Sequence, residues 1–350
     1  MRLNEGIRVE AAESCLLRRG GGEVLHGGLR DRLFGAPGTW SRLRCKPCGL
    51  VWLDPRPIPE DIPKLYETYT HQNAFESSGR LRFRQKVARA IVATTLGYDQ
   101  VLPGPRWSWV GRIAGMVPPW RDYATAPFLY LEASARGKLV DVGCGSGEFM
   151  AVMRDLGWEV EGVEPDPQAA RIAREERGLK VRVGTLEGAN LPPESQDVIT
   201  MSHVIEHLPD PSGCLKQCYT LLRPGGMLVV VTPNVKSMGH QHFRGWWYGL
   251  DPPRHLVLFS PVTLGRFTES AGFHVRLMRT PTRWCRGAYI ESAGFQRHSR
   301  FVKPNAPKLV NVGSWAFWLI EEMLRLASFH VGDELLMLAM KPRKDAGEGS

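Results

Sequence analysis

The sequence has no apolar run near the roughly 20 residues needed to cross a bilayer, so a membrane-spanning helix is excluded. Met1 to Glu13 mixes charges and has no apolar stretch, so a secretory signal is not expected there. Internal repeats are absent, which excludes solenoid and propeller architectures. The seven cysteines, at 15, 45, 48, 144, 214, 218 and 285, are an odd number and too scattered for a disulfide framework. Reduced thiols in a cytosol are the simplest reading, and the expected location is cytoplasmic. Basic residues do not interleave with aromatics as in a nucleic-acid groove, so a nucleic-acid partner is not expected.

What is present is an ordinary globular composition, 43% hydrophobic and 23% charged, over 350 residues. The net charge of +9 is unevenly placed. Residues 137–232 carry 9 basic and 14 acidic side chains, so the flanks hold all of the excess positive charge. An anionic or amphipathic partner would meet those flanks, and a solvated basic surface is the plain alternative.

The alternation of short apolar runs with helical periodicity predicts βαβ units over 137–234. Strands are expected at 138–142, 159–163, 181–183, 197–201 and 227–232, with helices at 148–156, 167–177 and 211–222 between them. A capped helix is expected at 260–271 and two further strands at 273–280 and 334–340. The fold class is therefore α/β: a Rossmann-like, seven-stranded, mostly parallel sheet with an antiparallel pair at its edge. Flanking it are a ribbon-like segment (1–57), a helical cap or linker (58–136), a lid insertion (235–258), a second insertion (281–333) and a disordered polar tail (344–350).

Asp141-Val-Gly143-Cys-Gly145-Ser-Gly147 follows the first core strand and opens a helix. Glycines there let a ligand approach the backbone at a helix N-terminus. The Gly-x-Gly-x-x-Gly of dinucleotide folds is missing. An acid stands just before the loop instead; it would repel a pyrophosphate and attract a cationic cofactor. Glu164 ends the next strand, where a carboxylate can accept both hydroxyls of a ribose.

Taken in order, these segments resemble the class I S-adenosylmethionine methyltransferases. Leu139 to Phe149 is similar to that family's first motif and Val163-Glu164-Pro165-Asp166 to its second. Gly184-Thr185-Leu186 falls where the family contacts adenine, Asp197 to His207 resembles its fourth-strand segment, and Leu222 to Leu228 the turn before the fifth strand. The resemblance implies S-adenosylmethionine as cofactor, held by Asp141, Gly143, Gly145, Gly147, Glu164, Pro165, Thr185, Leu186, Ser202 and His203.

His203-x-x-Glu206-His207 lies just past the fourth strand, and helical spacing would put the three side chains on one face. His207 could act as a general base, the trio could hold a divalent metal, or Glu206 and His207 could simply orient the turn. Ubiquinone-pathway O-methyltransferases resemble this segment and bind a metal there; His203 stands where those enzymes have an acid. In Gly245 to Leu256 the same resemblance implies a lid over the acceptor, with Trp246, Trp247 and Tyr248 as walls, Arg254 for an anionic group and His255 as a second candidate base.

Cys45-Lys-Pro-Cys48 reads as half of a zinc knuckle, and relatives of this type begin with paired knuckles. Here Cys15-Leu-Leu-Arg18 has Arg in place of the partner thiolate. Cys15, Cys45 and Cys48 remain, with His26 as the nearest fourth ligand, and a metal-free ribbon is expected. The Arg80–Thr95 and Ser314–Phe329 stretches are open to packing on the cap or to peripheral membrane contact. The expected chemistry is O-methylation of a small acceptor such as a sugar, polyketide or quinone-like molecule. The rivals are an RNA methyltransferase and a non-catalytic cofactor-binding scaffold. The sequence does not indicate an oligomeric state.

Overall fold

In the computed structural model, residues 2–12, 14–66, 83–299, 308–327 and 330–343 are described. The expected tail and residues 80–82 of the basic helix lie outside them.

The N-terminal segment forms six short strands: β1 (Arg2–Asn4), β2 (Ile7–Glu10), β3 (Glu23–Leu29), β4 (Trp40–Arg44), β5 (Val51–Asp54) and β6 (Arg56–Pro57). A 3-10 helix follows at Pro59–Tyr66. The cap holds α1 (Phe83–Leu96), α2 (Trp107–Gly115) and α3 (Pro118–Thr125). Proline opens α3, where its missing N–H costs nothing.

The core then runs β7 (Lys138–Val142), α4 (Glu148–Asp155), β8 (Glu159–Glu164), α5 (Pro167–Glu175), β9 (Val181–Val183), β10 (Gln196–Ser202), α6 (Pro211–Leu221) and β11 (Leu222–Pro233). The lid contributes α7 (Met238–Phe243) and β12 (Val257–Leu258). After it come α8 (Pro261–Ser270), β13 (His274–Arg279), α9 (Cys285–His298), α10 (Lys308–Leu326) and β14 (Glu334–Met340). Asp166, Asp210 and Ser260 cap the helices that follow them by accepting from Gln168, Gly213 and Thr263 N–H groups.

The central sheet has the order β13-β14-β11-β10-β7-β8-β9. Strands β11, β10, β7, β8 and β9 are parallel, and β14 pairs antiparallel with both β11 and β13. The antiparallel strand thus sits one place in from the edge, which β13 occupies. The reversal of strand order beside β7 opens the crevice at the carboxyl ends of β7 and β10.

Pleating sends alternate residues to opposite faces. Leu139, Val198 and Val229 meet the cap through Ile91, Leu96 and Leu131. Val140, Ile199 and Met201 belong to the other core, which also holds Trp40, Leu50 and Leu53 from the ribbon. Strand β12 of the lid pairs with β5, completing a ribbon sheet ordered β12-β5-β4-β3. Ribbon, lid and sheet therefore share one core, because neither a small ribbon nor a lid can bury its apolar side alone.

Candidate active site

The cofactor edge is built locally. Asp141 and Glu164 end adjacent strands and are buried. Thr200 Oγ1 donates to Asp141 Oδ1 at 2.6 Å. Glu164 accepts from the Gly145 N–H (2.7 Å) and the Asp166 N–H (2.9 Å), so the acid also shapes the glycine loop. Burial, with Glu164 nearby, pushes Asp141 up to about 7. A cationic group laid beside it would relieve both effects. Gly143, Gly145 and Gly147 all have positive φ. A Cβ on Gly143 would lie 2.5 Å from Val204, and one on Gly147 2.5 Å from Leu179, whereas one on Gly145 would meet nothing within 4 Å. The first and third glycines permit packing; the middle one faces open space, as a ligand cradle requires. Thr185 accepts from the Gly188 N–H at 3.4 Å and Leu186 is buried. Ser202 ends β10, exposed at the crevice.

The contact between Gly143 and Val204 joins this loop to the histidine segment. His203 has φ +56 and is followed by one 3-10 turn, Ile205–His207, rather than an α-helix. Its Nε2 lies 3.0 Å from Glu334 and its Nδ1 3.4 Å from Glu206. Desolvation opposes its charge, but the two carboxylates prevail and push His203 up to about 10. Facing those two carboxylates, His203 does not gather with Glu206 and His207 into one cluster of potential metal ligands, which was one of the arrangements the spacing allowed.

His207 joins His255 instead, with ring centroids 4.7 Å apart. His207 Nδ1 lies 3.1 Å from the Arg254 carbonyl and 3.0 Å from the Tyr66 hydroxyl. His255 Nδ1 lies 2.9 Å from the Gly249 carbonyl. A carbonyl only accepts, so both Nδ1 atoms carry the proton and both Nε2 atoms carry the lone pair. Burial pulls His207 below its ordinary range and His255 down to about 4. Glu206 is sealed, accepts from Thr232 Oγ1 at 2.8 Å, and turns Oε1 to His203. Although burial opposes its charge, His203 and the other histidines hold Glu206 down to about 2. Ligand atoms of Glu206, His207 and His255 lie within 4.8 Å of one another, a set able to hold a divalent cation.

The lid departs most from expectation. Arg254 is fully buried between Asp31 (2.8 and 2.9 Å) and Asp251. Burial disfavours its charge, but the two carboxylates hold it above the ordinary arginine range. It is saturated, so it clamps the lid to the ribbon rather than receiving an anionic acceptor group. Arg42, also buried, donates to the His255 (2.6 Å) and Leu250 carbonyls. Trp247 is 2% exposed and donates to Asp333 at 3.1 Å, so it is a core residue of the lid. Trp246 lies under the Arg32 guanidinium at 4.0 Å. Tyr248 remains partly exposed and borders a shallow depression with Arg30, Arg32, Leu33 and Phe295.

A family profile described as "Methyltransferase domain" matches residues 120–277. The ubiquinone biosynthesis O-methyltransferase of Idiomarina loihiensis is 34% identical over 149 residues, 38% of this chain and 60% of that protein. That of Cupriavidus pinatubonensis is 33% identical over 189 residues, 51% of this chain and 69% of that protein. The chain belongs to the class I S-adenosylmethionine-dependent methyltransferases. It spans about two thirds or less of the length of these relatives. Among solved structures, a SAM-dependent methyltransferase from Archaeoglobus fulgidus matches with a TM-score of 0.42 at 21% identity, covering 63% of this chain and 91% of that one.

Sequence reasoning about this methyltransferase missed Tyr66, Asp31 and Glu334. All three act through partners 131 to 223 positions away, and no local pattern signals them. At the ribbon, Cys15, Cys45 and Cys48 do gather, with Cys15 and Cys48 sulfurs 3.5 Å apart. His26 does not join them; its Nε2 lies 2.9 Å from His240 Nε2. Burial pushes Cys15 up to about 12. Burial opposes the Cys45 thiolate too, but the Cys48 N–H, the neighbouring thiols and the Arg18 charge draw Cys45 down.

Proposed function

We propose that this methyltransferase methylates a hydroxyl oxygen of a small quinone-like or phenolic acceptor, with His207 as the base. The carrying observation is the His207 ring: neutral, locked by its Nδ1–H to the Arg254 carbonyl, with the lone pair on Nε2, three residues beyond the Val204 that packs on Gly143 of the glycine loop. S-adenosylmethionine supplies an electrophilic methyl on a sulfonium, and Asp141, Glu164 and the Gly145 cradle are the residues that would hold it. His207 takes the hydroxyl proton as oxygen attacks, and Glu206 steadies the resulting imidazolium. Orientation of the two reactants supplies most of the remaining rate. Tyr248 and Trp246 are the lid aromatics left to border the acceptor. The similarity to ubiquinone biosynthesis O-methyltransferases supports a quinone-like O-acceptor over a sugar or polyketide.

A metal at Glu206, His207 and His255 is the second reading, supported by the gathering of their ligand atoms within 4.8 Å of one another. The ribbon is read as metal-free, Arg18 supplying the charge a zinc ion would. One zinc per chain, lost on Cys45→Ser, would overturn that. Seven free cysteines support a reducing cytoplasm as its location, and no helix among the described residues is long and apolar enough to cross a membrane.

The test is S-adenosylhomocysteine formation against catechol and hydroquinone acceptors, sugars and RNA. Turnover with the phenols is expected. Turnover with sugar or RNA alone sinks the acceptor class, and none with any acceptor sinks the enzymatic reading in favour of a scaffold.

A further inference from the structure

Helix α10 is built inside out. From Leu309 to Leu326, its charged residues Glu321, Glu322 and Arg325 all face inward. Glu322 accepts from Thr282 at 2.7 Å, Arg325 pairs with Asp122 of α3 at 3.1 Å, and Glu321 is buried near Cys285 and Asp333. Outward, at helical spacing, stand Leu309, Val312, Trp315, Leu319, Ile320, Met323 and Leu326, each more than half exposed. Asn311 is the one polar residue among the described exposed positions of this helix. A helix placed against water would carry the opposite pattern.

A second stripe continues it. Trp109, Ile113, Met116, Val117, Trp120 and Tyr123 run along α2 and α3 and are 41–78% exposed. The Arg325–Asp122 pair joins the two stripes, since Met323 and Leu326 flank one partner and Tyr123 adjoins the other. Soluble proteins rarely leave so much contiguous apolar surface in water unless something covers it.

Charge identifies what covers it. Over residues 83–121, Arg84, Lys86, Arg89, Arg106, Arg112 and Arg121 stand against Asp99 alone. Arg106 and Arg112 are exposed on and beside α2, next to Trp109 and Ile113. A second copy docking here by two-fold symmetry would bring the same basic rim against itself. An anionic bilayer surface meets both features, since tryptophans and tyrosine lodge at the headgroup level and arginines meet lipid phosphates. We propose that the outward faces of α2, α3 and α10 form one surface that docks on anionic membranes. This holds whatever the methyl acceptor is, so the acceptor reading can fail and leave it standing.

The test is flotation of the full chain with vesicles of phosphatidylcholine containing phosphatidylglycerol, and with phosphatidylcholine alone. Binding to the anionic vesicles, weaker to the neutral ones, is expected. Trp315→Glu and Trp120→Glu should each lower the partition about tenfold, as loss of a buried aromatic does. Arg112→Gln should lower it about fivefold on anionic vesicles only. All three side chains are exposed or at the patch rim, so circular dichroism and S-adenosylmethionine affinity should stay at wild type, showing that the variants fold. No binding to either vesicle overturns the proposal. So do unchanged partition in the tryptophan variants and a dimer that those variants dissociate while vesicle binding is absent; the last result would assign the face to a second copy.

Discussion

The two walls of the crevice are made in different ways. On the cofactor side, Asp141, Glu164 and three glycines lie within 24 positions, and each bond that shapes them runs to a neighbouring strand or within the loop. On the side proposed for the acceptor, Asp31 comes from the ribbon, Tyr66 from the cap, Glu206 and His207 from β10's exit, and Arg254 and His255 from the lid. The first wall is a sheet-edge motif that any chain with this strand order can build. The second exists only once ribbon, lid and core have packed together. Its cohesion rests on buried charge, which is costly to leave unpaired.

The comparison predicts where substitutions unfold and where they only disable. Arg254→Ala should cause the largest loss, about 3–5 kcal/mol, because it strands Asp31 and Asp251 in a buried setting. Urea titration measures it. Replacing Asp31 by Asn together with Arg254 by Met should recover part of the loss, since it neutralises one of the two stranded carboxylates. If Arg254→Ala folds with wild-type stability and only raises the acceptor KM, then Arg254 binds acceptor after all and the clamp assignment fails.

Next in size is His207→Ala, expected to lower kcat about a hundredfold while cofactor affinity holds, as removal of a general base does. The reactive form is the neutral ring. Burial holds its pKa below the ordinary 6.5, so the acid limb of the kcat–pH profile should fall below pH 6.5. Wild-type kcat in the variant would leave proximity as the source of rate.

Much of the first wall was legible in the sequence. Strand and helix positions from 138 to 233 were readable because a buried parallel strand is continuously apolar and its helices carry caps and glycine stops. Asp141 and Glu164 were readable because a strand end fixes where a side chain points. The second wall resisted for the converse reason. Arg254 in a Pro-Pro-Arg-His turn has the same local sequence whether it meets an anionic ligand or Asp31, 223 positions earlier. Likewise, helical spacing suggested one face for His203, Glu206 and His207. A left-handed residue at 203 and a 3-10 turn instead send His203 to Glu334 and His207 to His255.

The first wall answers to affinity alone. Asp141→Asn keeps the shape and a hydrogen-bonding oxygen for Thr200 but removes the charge. It should weaken S-adenosylmethionine binding by roughly ten- to a hundredfold, equivalent to about 1.5–3 kcal/mol. Calorimetry with folding checked in parallel separates this from the Arg254 effect. Equal affinity in variant and wild type would remove Asp141 from the site.

The smallest expected effect tests the seam between the walls. His203 sits between Glu206 and Glu334, and its folded pKa of about 10 lies above the ordinary 6.5. A raised folded pKa means that protonation favours the native state. The contribution is therefore complete below pH 6.5 and disappears as pH rises through about 10. The side chain is 40% exposed, so solvent screening holds the loss to about 1 kcal/mol. Asp141, pushed up to about 7, and Glu321, pushed up to about 9 by burial, titrate across the same window. The useful quantity is therefore the stability of wild type minus that of His203→Gln, in which those shared contributions cancel. That difference should shrink between pH 6 and pH 10. A constant difference would mean that His203 is neutral when folded. In that case burial outweighs the two carboxylates, and the link from His203 to Glu334 is a neutral hydrogen bond rather than an ion pair.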